Sequence, residues 1–211
     1  DTTKLDISSL YLQSVKDISW ITLKTNIDIS NKVHTTDKNI ADIQRYLDNA
    51  GASVVSLPSI LPVKNFNIAQ TGASVGMKIS PFLKNFVNHD GLDLMAPLGT
   101  DVLATADGVV TLVQKTQKGS GNRVEITHSN GYVTAYSHLS DILVTTGKSV
   151  KQGSVIGRVG SSGMSFATHL HYSIYKDGQA VDPLNYFFAD LNPDDYRSMI
   201  NMSINTGQSM D

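Results

Sequence analysis

Glycine divides this chain. Of its 16 glycines, 14 lie between Gly72 and Gly178, and the first 70 residues hold only Gly51. Glycine-dense sequence with short apolar runs predicts many strands joined by tight turns. The runs "GLDLMA", "DVLATA", "GVVTLVQK", "NRVEITHS", "GYVTAYSHL", "VIGRVG" and "HLHYSIYK" are candidate strands. Turns fall at "ADG", "KGSGN", "SNG", "TTG", "KQG" and "KDG", with Asn130-Gly131 and Asp177-Gly178 as strong hairpin dipeptides. So many short strands with hairpin turns predict a mainly β domain, an antiparallel sheet or open barrel rather than a parallel α/β sheet.

The glycine-poor flank reads differently. "LYLQSVKDISWI" spaces Leu10, Leu12, Val15, Ile18 and Ile21 in a loosely helical way. "TTDKNIADIQRYLDNAG" carries Ile40, Ile43 and Leu47 on one face and ends at Gly51 as a C-cap. The expected organisation is a helical arm and linker over 1–62, a β domain over 63–190 and a tail over 191–211. In that tail "NPDDYRSMINMSI" predicts a short helix capped near Asn192.

Composition narrows the chemistry. A net charge of −2 argues against nucleic acid or an anionic membrane as a bulk partner. No cysteine is present, which excludes thiol catalysis and cysteine-based zinc sites. No apolar run approaches the roughly 18 residues that span a bilayer. The sequence opens at Asp1 with no leader visible, so a processed or trimmed chain is expected, with any anchor lying elsewhere. There is no HExxH helix, GxSxG elbow, P-loop or Rossmann fingerprint, and "GSGNRV" sits between two strands as a hairpin loop.

Five of the six histidines fall in the β region. In "THLHYSIY", His169 and His171 are two apart on a strand and share a face. In "NHDGLDL", a continuous strand would place His89, Gly91 and Asp93 together. His89 and Asp93, with one histidine of the 169/171 pair, make a two-histidine, one-carboxylate set suited to a catalytic zinc. In "GYVTAYSHLS", the same alternation joins Tyr132, Thr134, Tyr136 and His138, natural for a groove floor. His128 reads as a hydrogen-bonding turn residue and His34 as exposed.

"HDGLDLMAPLGTDVLATADGVV", "GNRVEITHSNGYVTAYSHLS", "VTTGKSVKQGSVIGRVGSSG" and "THLHYSIYKDGQAVDPLNY" together strongly resemble the lysostaphin/LytM-type zinc endopeptidases, which cut peptidoglycan cross-links. The resemblance runs from roughly Gly72 to Phe187. "SLPSILPVKN" and "YRSMINMSINTGQSMD" also resemble versions of this family from Bacteroidetes. It implies an antiparallel, open barrel-like domain with a duplicated hybrid motif. It implies one Zn²⁺ per chain on His89, Asp93 and His171, with His138 and His169 as catalytic residues. Peptidoglycan stems and cross-links are the implied partner and the bacterial cell envelope the implied location.

The chain departs from the family pattern at Ala167-Thr168, where Gly-Pro is frequent, at Ser173, where Glu is frequent, and at Asp101, where Pro is usual. "PFLKNFVN" supplies no tyrosine ahead of the first histidine. Two rival readings stand beside the enzyme: a catalytically weak scaffold that activates other wall hydrolases, and a biotinyl or lipoyl carrier module. The carrier needs a modifiable lysine at a hairpin tip, and no such motif is visible.

Overall fold

A computed structural model describes residues 56–211, within the unit Ala52–Asp211. The helical arm expected over 1–62 lies outside the described residues as far as residue 55. From residue 76 to 181 the chain forms antiparallel β-structure in three sheets. A two-stranded ribbon pairs β1 (Gly76–Ile79) with β2 (Phe86–His89). A three-stranded sheet orders β4 (Asp101–Leu103), β10 (Val155–Arg158) and β8 (Asp141–Ile142).

The largest sheet runs β12 (Gln179–Val181), β11 (His169–Lys176), β7 (Tyr132–Ser137), β6 (Arg123–Thr127), β5 (Gly108–Gln114), β9 (Ser149–Val150). Its strand β11 also pairs with β3 (Leu92–Met95). The sheet does not close into a barrel among the described residues. All seven candidate strands of the glycine-rich region are present.

Register decides which side chains share a face, because residues paired across strands point the same way. Leu170 pairs with Leu94, Tyr172 with both Leu92 and Tyr136, and Ile174 with Thr134. That face is the core, where these residues are joined by Val124, Ile126, Ile156, Leu139 and Phe187, all buried. The opposite face carries His169, His171, Ser173, Asp93 and Ser137. β11 is buried over its first six residues, so both of its faces are covered.

Two flanking segments complete the unit. "SLPSILPVKN", expected to be a linker, instead packs on the body: Leu57, Leu61 and Val63 are buried. Its backbone joins β4, the Pro62 carbonyl accepting from the Leu103 N–H at 2.8 Å. Helix α1 (Pro193–Asn205) begins as its sequence dictates, the Asn192 carboxamide oxygen accepting from the N–H groups of Asp194 and Asp195 at 2.9 Å each. Proline at the first position and two aspartates in the first turn suit the same end. The last turn is capped by the ammonium of buried Lys78, which donates to the Thr206 carbonyl at 2.9 Å and the Ser203 carbonyl at 3.4 Å. Among the described residues, no helix is long and apolar enough to cross a membrane.

Candidate active site

His89 and Asp93 do not share one continuous strand. His89 ends β2, Asp93 lies in β3, and the chain turns through Asp90 and Gly91 between two different sheets. Gly91 is required there by space: a Cβ would stand 2.5 Å from the Tyr172 carbonyl oxygen and 2.7 Å from His171 Nε2. That close crossing lays His89 over β11. Asp93 reaches the same place by pairing directly with His171.

The three side chains meet with their ligand atoms turned inward. His89 Nε2 and His171 Nδ1 are 3.1 Å apart, and Asp93 Oδ1 is 3.1 Å from each. All three residues are buried. A tetrahedral ion with bonds of 2.0–2.1 Å holds its ligand atoms about 3.3 Å apart, so this spacing fits a metal.

The outward nitrogens fit it too. His89 Nδ1–H donates to the Ser74 carbonyl at 3.0 Å, which leaves the Nε2 lone pair facing the cluster. His171 Nε2 meets Asp90 Oδ1 at 3.2 Å and Ser173 Oγ at 3.1 Å, which leaves Nδ1 facing in.

The surrounding carboxylates set the charge of the cluster. Burial disfavours charge on His171, but the hydrogen bonds with Asp90 and Asp93 outweigh it and raise its pKa to about 10. Burial likewise works against the Asp93 carboxylate, yet His171 and His89 hold its pKa well below the usual range. A metal taken up here must displace the proton from the His171 nitrogen.

The other two histidines stand beside this cluster. His138 follows the last residue of β7 with φ 62°, a left-handed conformation that is strained for a non-glycine residue. That twist carries its ring off the core face of Tyr136 to the side of His169, with ring centroids 4.8 Å apart. His138 Nδ1–H donates to the Ser162 carbonyl at 2.8 Å and His169 Nδ1–H to the Ala167 carbonyl at 2.8 Å. Both Nε2 atoms are buried without a hydrogen-bond partner. Burial lowers the His169 pKa below its usual 6.5, against the pull of the Asp93 charge, so a neutral ring is favoured.

Tyr132, Thr134 and Tyr136 do not line this site; their expected place as a groove floor is corrected. The simple alternation that grouped them with His138 fails at the left-handed turn. Thr134 and Tyr136 are fully buried on the core face, where the Tyr136 hydroxyl accepts from the Thr105 N–H at 3.0 Å. Tyr132 packs edge-on against Tyr186 at 5.7 Å.

Two participants escaped the sequence reading. Asp90 braces His171 and is itself held by the Tyr175 hydroxyl, which donates to Asp90 Oδ2 at 2.6 Å. The His171 hydrogen bond holds the Asp90 pKa well below the usual carboxylate range, despite its partial burial. Its adjacency to His89 was the available signal. Asp211 is the second, and nothing local in "GQSMD" marks it. Its carboxylate forms one group with His89, Asp93 and His171, all four ligand atoms lying within 4.8 Å of one another.

Residues 87–183 match peptidase family M23. The peptidoglycan DD-endopeptidase ShyA of Vibrio cholerae is 38% identical over 107 residues, which are 51% of this chain and 25% of that protein. The matched part spans between 20% and 45% of the length of such curated relatives, so less than half of each. Among solved structures, the catalytic domain of a mutant of the prophage-encoded M23 protein EnpA from Enterococcus faecalis is 33% identical with a TM-score of 0.51. The match covers 59% of this chain and 94% of that one. The catalytic domain of the antimicrobial peptidase lysostaphin from Staphylococcus simulans is 29% identical with a TM-score of 0.51, covering 58% of this chain and 92% of that one. A buried two-histidine, one-carboxylate cluster on a sheet shared with these peptidases leaves one conclusion: the chain belongs to peptidase family M23, in its lysostaphin/LytM-type branch.

Proposed function

We propose that this chain is a zinc-dependent endopeptidase that hydrolyses amide bonds in peptidoglycan peptide cross-links, in the bacterial cell envelope. The observation that carries the reading is the convergence of five buried side chains. His89, Asp93 and His171 offer ligand atoms 3.1 Å apart, while His138 and His169 aim unpartnered Nε2 atoms at the same place. Zinc bound by the first three would supply a Lewis acid that activates water and polarises an amide carbonyl.

The remaining steps belong to the protein. His169, buried and favoured neutral, takes the proton of the attacking water at Nε2. His138, once protonated at Nε2, donates to the developing oxyanion or the leaving amine. The Ser162 and Ala167 carbonyls fix each ring's tautomer, so neither step waits on ring rotation. The substitution of Ala167 in the frequent Gly-Pro pair leaves this function intact, because the contact is made by backbone. Two buried imidazole nitrogens that face carboxylates at 3.6 and 3.7 Å, with no hydrogen bond of their own, support the catalytic reading over the scaffold.

Defined muropeptides, with products read by mass spectrometry, test the reading. His138→Ala should keep metal and fold while losing cleavage by about 10²–10⁴-fold. His138→Gln separates the two roles, since it can hydrogen-bond but cannot carry a proton. Near-normal cleavage in His138→Ala with metal bound would return the protein to the scaffold reading.

A further inference from the structure

The two candidate histidine ligands are braced differently. His89 turns its outer nitrogen to a backbone carbonyl, that of Ser74. His171 turns its outer nitrogen to side chains. The next residue on its face of β11 is Ser173, one of the positions at which this chain departs from its family. The Ser173 hydroxyl lies 3.1 Å from His171 Nε2 and brings no charge. The charge comes from Asp90 instead, whose Oδ1 lies 3.2 Å from the same nitrogen. Asp90 belongs to the turn that leaves β2, so this contact joins β11 to a segment arriving from another sheet.

Asp90 is held in its turn from the outer face of the large sheet. Tyr175 lies further along the same face of β11, and its hydroxyl donates to Asp90 Oδ2 at 2.6 Å. The guanidinium of Arg123, on β6, stands beside that hydroxyl. Arg123 is itself fixed: its Nε donates to Glu125 Oε1 at 2.9 Å, and Nη2 lies 2.8 Å from the same oxygen. Its Nη1 also donates to Ser137 Oγ at 3.4 Å. The two Asp90 oxygens are thus divided, one to His171 and one to a support outside the ligand set. The Asp90 side chain is 42% exposed, so without that support it could turn to water.

We infer that Asp90 is the positioning residue of this site and that Tyr175 and Arg123 act through it, so that side chains on the outer sheet face set how tightly His171 binds the metal. This rests on the metal-peptidase reading above. The physical reason is orientation. An Nε2–H aimed at Asp90 fixes the tautomer that leaves Nδ1 free for an ion, and a carboxylate partner raises the basicity of that ligand nitrogen. Rotation of the ring would carry Nδ1 out of the cluster, and Asp90 opposes that rotation from the far side of the ring. Ser173 can hold a hydrogen bond there, but charge-assisted bonds are roughly twice as strong as neutral ones. Tyr175 contributes at one remove, by keeping Asp90 turned to the ring.

The full chain tests this by its zinc affinity, measured against a competing chelator, and by its visible spectrum with cobalt(II) bound. Asp90→Ala should weaken zinc binding by about 10–100-fold and change the cobalt spectrum. Asp90→Asn keeps the shape and an acceptor without the charge, so it should fall between wild type and Asp90→Ala. Tyr175→Phe should also weaken binding, by less, although the hydroxyl it removes lies outside the ligand set. The double variant should bind no more weakly than Asp90→Ala alone, because Tyr175 then has nothing to act through. Wild-type affinity and an unchanged cobalt spectrum in Asp90→Ala would overturn the inference. So would a larger loss in Ser173→Ala than in Asp90→Ala, or losses that multiply in the double variant. The expected losses of affinity in a chain that cleaves no muropeptide would sink the peptidase reading and leave Asp90 in its role. A wild-type chain that takes up no zinc would sink both.

Discussion

His128 shows how a single buried titratable group couples fold to pH. Its Nδ1–H donates to the Asp107 carbonyl at 2.9 Å and its Nε2 accepts from the Thr134 hydroxyl at 2.7 Å. Burial lowers its pKa below 6.5, only partly offset by that carbonyl and by the charge of Asp107. The folded ring therefore resists a proton that the unfolded ring accepts near pH 6.5. The sign is fixed by that difference: this stability is complete above pH 6.5 and is lost as pH falls from there through the folded pKa. Thermal melts of the metal-loaded chain at about pH 7.5 and 6.0, either side of that value, should show the loss, and His128→Gln should show less of it. An identical pH response in both chains would remove His128 as the cause. The turn-region role read from "THSNG" described the hydrogen bond but not the burial. His138 was harder, because nothing in "YSHLS" announces a left-handed residue. Alternation therefore grouped His138 with Thr134 and Tyr136, which the register places on the core face.

Elements were legible where local chemistry decides them. The seven strands of the glycine-rich region follow from apolar alternation and turn dipeptides. Helix α1 follows from Asn192, Pro193 and two first-turn aspartates. Asn192→Ala should therefore cost about 1 kcal/mol, seen as a lower denaturant midpoint with an unchanged slope. Because α1 leads into residues 206–211, the same variant should also loosen that segment and make it exchange amide hydrogen faster. Equal exchange in both chains would show that the segment is anchored by Ile79 and Phe166 alone. Long-range relations were not legible. No periodicity says that β2 and β3 belong to different sheets, or that Gly91 lets the turn between them cross β11 at contact distance. The five candidate residues were read from strand faces and motif resemblance, while the crossing that gathers them depends on pairings far apart in sequence, such as Asp93 with His171. Asp211 lay further out of reach, placed by the path of a helix and an extended segment with no motif of its own.

At the scale of the molecule, the His89–Asp93–His171 cluster would, with the proposed metal bound, also be a fastener. It ties the β1–β2 ribbon to the large sheet, since His89 comes from the first while Asp93 and His171 come from the second. An ion held by all three binds the folded chain and has no preformed site in the unfolded one. Its binding free energy therefore adds to folding stability, by about 2.7 kcal/mol when free metal is a hundredfold above Kd. Removing the metal with a chelator should lower the melting temperature, and adding zinc back should restore it. Asp93→Ala removes the ligand atom that touches both histidines, so it should lose most of the zinc-dependent gain in melting temperature. His138→Ala, which touches no ion on this reading, should keep the full zinc-dependent gain. The comparison separates fastening from catalysis: loss of the gain in His138→Ala would move that residue into the ligand set. A full zinc response in Asp93→Ala would remove Asp93 from it.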